Sequence, residues 1–256
     1  MNLCIFFEGT GKGVTGKITN VTRMFDLCAS DTRQLLHLEK GPGTRFGSYL
    51  LGKIAGVDWR AAFRGARRFF EAHYRSLPDD SVRTHVYIFG FSRGALLARH
   101  FAAWLDKLSV SVDYLGIWDT VDATMGLEVA EECPANVMKA RHAVARDEDR
   151  KFFGYLPLSG PKTQVTELLF PGAHSDVGGL YQDNHLMADL TLSWIAQGAK
   201  TAKIHLAKGA KLTQKLDQKQ VILHDSHTLA SNLWGAFDRV KRKFASIRLH
   251  RACKGM

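Results

Sequence analysis

The chain has 256 residues, 45% of them hydrophobic and 23% charged, a balance that fits one α/β domain with a full core and excludes disordered, repetitive and low-complexity classes. Lys and Arg outnumber Asp and Glu by 35 to 25, a formal charge of +10 that points towards anionic surfaces or acidic partners. No run approaches the ~18 apolar residues of a membrane span, and the short LCIFF start lacks a basic lead-in and a cleavage site, so a soluble protein made in the cytoplasm without a signal peptide is expected.

Leu3 to Phe7 reads as a strand that runs into the glycine-rich bend EGTGKG. Residues 20 to 38 hold a helix and then a strand, and GPGTRFG is a loop. From Trp59 to Tyr74, apolar Ala62, Phe63, Ala66, Phe69, Phe70 and Tyr74 recur at helical spacing, with Arg60, Arg64, Arg67 and Arg68 opposite. Thr84 to Phe89 is a predicted strand and Ala95 to Leu108 a buried helix. A strand follows at Tyr114 to Trp118, then a long connection expected to be helical around NVMKARHAVARDEDRKFF. Val165 to Phe170 reads as strand, PGAHSDVGGLY as loop and Leu186 to Ala199 as helix, with a short strand at Val221 to Leu223 and an amphipathic basic segment from Leu233 to about Leu249. Cys4, Cys28, Cys133 and Cys253 have no short pairing and read as reduced thiols.

Strands that alternate with helices, without clean period-two polarity, imply a mostly parallel sheet with helices on both faces, an α/β-hydrolase-like architecture. One catalytic domain is expected over residues 1 to 256. Reactive groups in such folds lie on loops at the carboxyl ends of strands, and GFSRG, WDT and PGAHSD are three loops of that kind.

In GFSRG, Ser92 stands between an apolar strand and an apolar helix, with Gly90 and Gly94 two residues to either side. That spacing is a nucleophile elbow: a sharp turn that presents the serine hydroxyl at a helix amino terminus. The amide of Arg93 then points to where an oxyanion forms, and the first glycine loop offers Gly9, Thr10 and Gly11 for a second donor. A serine hydroxyl needs a histidine base, and the histidine an acid, in the chain order Ser, Asp, His. Two pairings satisfy that order, Asp119 with His174 and Asp176 with His224. Both aspartates and both histidines follow predicted strands, so chain order leaves the choice open.

The motifs FFEGTGKG, GFSRGALLAR, GIWDTV, ARHAVARDEDRKF and FPGAHSDVGGLY, with LMADLTLSWI after them, occur in this order from Leu3 to about Trp194. Together they resemble the type VI secretion lipase effectors of the GFSRG type, within a broad family of α/β-hydrolase domains. The resemblance implies hydrolysis of phospholipid acyl esters by a Ser-Asp-His triad without a metal or other cofactor, in an antibacterial effector. It favours Asp119 and His174, with Asp176 and His224 in reserve. The partners it implies are a phospholipid substrate and an immunity or secretion-carrier protein; the clustered basic charge adds an anionic membrane surface, and no specific nucleic acid is expected. One departure is that Glu8 and Lys12 stand where that family usually has an Asp and an Asn. The length also leaves little room for the carboxyl-terminal membrane-docking region of larger members. The alternatives are an esterase, thioesterase or acyltransferase on another acyl group, and a non-catalytic lipid- or partner-binding module.

Overall fold

The computed structural model describes residues 1–9, 18–41, 59–74, 83–121, 127, 130–150, 153–161, 164–213, 216–225, 242, 244, 247–254 and 256. Seven strands form one all-parallel sheet: β1 (Asn2–Phe7), β2 (Gln34–Glu39), β3 (His85–Phe91), β4 (Tyr114–Trp118), β5 (Ala140–Ala145), β6 (Val165–Phe170) and β7 (Arg248–Leu249). Their spatial order is β2-β1-β3-β4-β5-β6-β7. The helices are α1 (Asn20–Leu27), α2 (Trp59–His73), α3 (Arg93–Lys107), α4 (His174–Gly178) and α5 (Leu186–Thr201).

The strands are buried on both sides, which is why they read as continuous apolar runs. Leu3, Ile5 and Phe7 of β1 pack with α2 and α3, while Cys4 and Phe6 pack with α1 and α5, so helices cover both faces. α2 buries Ala62, Ala66 and Phe70 at four-residue spacing and leaves Arg60, Arg64, Arg67 and Arg68 exposed. Thr19 caps α1, its hydroxyl accepting from the amides of Val21 and Thr22.

Three expectations change. The stretch read as helical around residues 136 to 153 contains β5, inserted between β4 and β6. Helix propensity of ARHAVA is a weak prior, and hydrogen bonding to two neighbours overrides it. The Val221 to Leu223 segment joins no ladder, and Ile222 and Leu223 are exposed. The loop PGAHSDVGGLY contains α4. The amphipathic segment from Leu233 lies almost wholly outside the described residues, and its end, Arg248–Leu249, is strand β7 paired with β6. Cys4, Cys28, Cys133 and Cys253 are buried, free thiols.

Chain order reverses between β1 and β3: β1 leads to β2 on one side, and β2 crosses back to β3 on the other. The crevice beyond the carboxyl ends of strands at such a switch point is where open α/β sheets bind ligands. Glu8 and Gly9 follow β1 there, and Ser92 follows β3.

Candidate active site

Ser92 joins β3 to α3 with φ 60 and ψ −128, a conformation that costs an L residue strain. Its amide donates to the Trp118 carbonyl at 3.1 Å, and its side chain makes no capping bond to α3. Only glycine fits on either side of it. A Cβ on Gly90 would lie 2.4 Å from the Gly94 carbonyl oxygen, and one on Gly94 would lie 2.2 Å from that of Phe7. The elbow is therefore wedged against the end of β1.

Asp119 follows β4 directly, fully buried and with φ 38. His174 opens α4, four residues beyond the end of β6. His174 Nδ1 lies 2.6 Å from Asp119 Oδ2. The His174 ring stacks on Phe91, with centroids 4.5 Å apart, and meets the Phe153 ring edge-on at 4.9 Å. Phe91 immediately precedes Ser92, so the His174 ring and the serine turn are packed against each other. The His174 amide donates to Glu148 Oε2 at 3.1 Å, and Glu148 is paired with Arg150.

Asp119 is saturated with donors. Oδ1 accepts from the Ala145 amide at 2.9 Å and from Arg242 Nη1 at 2.6 Å, and Oδ2 accepts from Arg242 Nη2 at 3.1 Å as well as from His174. Burial alone would raise the Asp119 carboxyl. The Arg242 guanidinium and then the His174 hydrogen bond outweigh burial and hold it well below the usual carboxylate range. Burial lowers the His174 imidazole from its ordinary value, and the Asp119 hydrogen bond offsets that only in part.

The reserve pair also forms, in a different setting. His224 Nδ1 lies 2.6 Å from Asp176 Oδ1, and its Nε2 lies 3.0 Å from Asp183 Oδ2. Partial burial opposes its charge, but the hydrogen bonds to Asp183 and Asp176 prevail and raise its pKa. Asp176 also accepts from the Ala173 amide at 2.9 Å, which ties down the start of α4.

Of the oxyanion candidates, Arg93 is the first residue of α3, so its amide stands at the helix amino terminus beside Ser92. Gly9 lies beside the elbow, its ideal Cβ position 3.5 Å from the Ser92 Cβ. Its amide, however, donates to Glu8 Oε1 at 2.8 Å, because the longer acid at this position folds back on its own chain. That donor is engaged. Thr10 and Gly11 lie outside the described residues. Glu8 further accepts from the hydroxyls of Thr19 and Thr22, at 2.7 and 2.6 Å, and so ties the glycine loop to α1.

Sequence reasoning missed two supports. Arg242 stands in the basic run KRK and carries no local mark that separates it from its neighbours. His142 is the other: the Thr120 amide donates to its Nε2 at 3.1 Å, and its Nδ1 bonds Glu167 at 2.6 Å, which fixes the residue after Asp119 from below. Among the described residues, no group of three or more His, Cys, Asp or Glu is placed to hold a metal.

An all-parallel sheet with a strained serine turn at its switch point defines an α/β-hydrolase-like fold. The family described as "T6SS, Phospholipase effector Tle1-like, catalytic domain" matches residues 1–110 and 104–198, and the chain belongs to that family. No curated protein matches the chain in sequence. Among solved structures, an uncharacterised protein from Pseudomonas aeruginosa has TM-score 0.59 at 19% identity, over 83% of this chain and 47% of that one. The Tle1 effector bound to the VgrG spike of the Type 6 secretion system gives 0.45 at 22%, over 71% and 51%. ClbQ from the colibactin NRPS/PKS pathway gives 0.45 at 12%, over 79% and 97%. The chain thus spans about half the length of the first two, 47% and 51%.

Proposed function

We propose that residues 1 to 256 form a serine ester hydrolase that cleaves acyl esters of glycerophospholipids, delivered as an antibacterial effector of type VI secretion. The observation that carries this reading is the Asp119–His174 pair packed through Phe91 against the strained Ser92 turn. Membership of a phospholipase effector family supports the substrate class.

With Asp119 ionised, His174 Nδ1 carries the proton donated to it, and Nε2 is left with the lone pair that a base needs. Ser92 Oγ attacks the acyl carbonyl carbon while its proton passes to His174 Nε2. The amide of Arg93, with Thr10 or Gly11, holds the oxyanion. The tetrahedral intermediate collapses, the bond to the lysolipid oxygen breaks, and His174 returns the proton to that oxygen. A water then gives a proton to Nε2 and attacks the acyl-enzyme; the fatty acid leaves and Ser92 recovers its proton. His224 is poorly suited to this work, since both of its nitrogens face carboxylates, whose hydrogen bonds occupy them and raise its pKa. No cofactor enters any step.

An immunity protein and a secretion-carrier protein are the partners that accompany delivery, and an anionic bilayer is the surface on which the substrate is met. The test is release of fatty acid from mixed anionic phospholipid vesicles by the purified protein. Ser92→Ala and His174→Ala are expected to abolish release, and His224→Ala to retain most of it. Loss through His224 but not His174 would reassign the base, and release that survives Ser92→Ala would overturn the mechanism.

A further inference from the structure

Arg242 lies beyond residues 1–198, which the family model matches, yet it reaches the centre of the site. Its side chain is 4% exposed and contacts Asp119 through both terminal nitrogens, at 2.6 and 3.1 Å. The rest of the guanidinium is held by carbonyls: Nη1 donates to Ala145 at 3.0 Å, and Nη2 and Nε donate to Phe153 at 2.7 and 3.2 Å. We propose that Arg242 is a positioning residue of the catalytic centre, fixing the Asp119 carboxylate in the orientation that receives His174 Nδ1. The inference rests on the hydrolase reading above.

A carboxylate has about four acceptor sites, and here two are taken by the Arg242 fork, one by the Ala145 amide and one by His174. Rotation of Asp119 about its side-chain bonds would break the bidentate contact, so the orientation is locked. A lysine offers the same charge at a single point and cannot span both oxygens and two carbonyls. The electrostatic consequence concerns His174. The charged groups that face the pair are Arg242, Glu148 and Arg150, with the Tyr155 hydroxyl near Asp119. Two ion pairs, Arg242–Asp119 and Arg150–Glu148, therefore flank the imidazole and leave it close to neutral surroundings. Removal of the Arg242 charge leaves Asp119 uncompensated, which raises the affinity of the Asp119–His174 pair for a proton.

The experiment compares the wild type with Arg242→Met and Arg242→Lys by three readouts: NMR titration of the His174 ring, the pH dependence of kcat/KM for ester release, and thermal unfolding. In Arg242→Met, the His174 titration and the acid limb should move to higher pH by about one unit or more. In Arg242→Lys, both should stay near the wild-type position while kcat falls roughly tenfold, through lost orientation. A folded Arg242→Met with an unmoved His174 titration overturns the inference. If that variant does not fold, a lysine variant with wild-type kcat and wild-type stability overturns it instead. A wild type without Ser92-dependent activity would sink the hydrolase reading, and the NMR titration would still decide the coupling of Arg242 to His174.

Discussion

Ser92 at φ 60 and Asp119 at φ 38 are two L residues held in positive-φ backbone, each directly after a strand of the central sheet. Such conformations cost on the order of 1–3 kcal/mol each and persist where the surroundings over-determine them. Here those surroundings are the Gly90–Gly94 contacts for Ser92 and a full set of donors for Asp119. Asp119→Asn keeps the shape but replaces one acceptor oxygen by an amide, so His174 loses the partner that fixes its tautomer. The expected drop in kcat is about 10⁴-fold, with Ser92 still present to react slowly, measured as fatty acid release at pH 7 to 8. The pH dependence follows from the same geometry. In the proposed mechanism His174 has to be neutral to take the Ser92 proton, and its pKa lies below the ordinary value. Activity is therefore expected to hold above about pH 6.5 and to fall as pH drops through the lowered value. An acid limb above pH 7 in the wild type would contradict this environment. At this scale Ser92, Asp119 and His174 could be nominated from sequence because each stands in a short motif at a strand end, and the structure brings Asp119 and His174 into contact. The Asp176–His224 alternative was equally legible; what differs between the two histidines is tertiary, since His174 stacks on Phe91 beside the Ser92 turn while His224 has Asp183 beside its Nε2.

Elements meet at the elbow, where α3, β1 and β3 converge within van der Waals contact. Gly94→Ala would set a methyl 2.2 Å from the Phe7 carbonyl oxygen and 2.6 Å from that of Glu8, both backbone atoms that cannot swing aside. Destabilisation of roughly 3 kcal/mol is expected from such overpacking, read by urea unfolding, together with loss of hydrolysis as Ser92 is displaced. Wild-type stability in this variant would mean that α3 can slide, and the elbow would not be a rigid device. Most strands and helices could be read from apolar runs and from helical spacing, as in α2 and α5. β5 could not, because ARHAVA has alanine and arginine, good helix formers, and its strand state comes from the edges of β4 and β6 that it fills. The Val221–Leu223 stretch fails in the opposite sense: apolar and β-prone, it has no strand edge among the described residues to join.

Over the whole molecule, the charge of +10 is not spread evenly. Arg60, Arg64 and Arg68 lie exposed along α2, while Arg67 pairs with Glu71. Binding to anionic vesicles is expected to weaken about tenfold or more between 50 and 300 mM salt, and again in the triple variant Arg60→Glu, Arg64→Glu, Arg68→Glu. Hydrolysis of a soluble ester by that variant should be unchanged. Salt-independent binding in co-sedimentation would show that the basic face does not make the contact. The α/β class, the tight turn at Ser92 and the short list of acids and histidines follow from the order of residues along the chain, because strand burial, turn sterics and motif spacing are local properties of adjacent residues. Tertiary structure alone decided that β1 and β3 frame the crevice, that Glu8 takes the Gly9 amide, and that Arg242 grips Asp119 across 123 positions of the chain. These are pairings between distant segments, set by packing and by the need to compensate buried charge, and no local pattern encodes which partner a buried group will find.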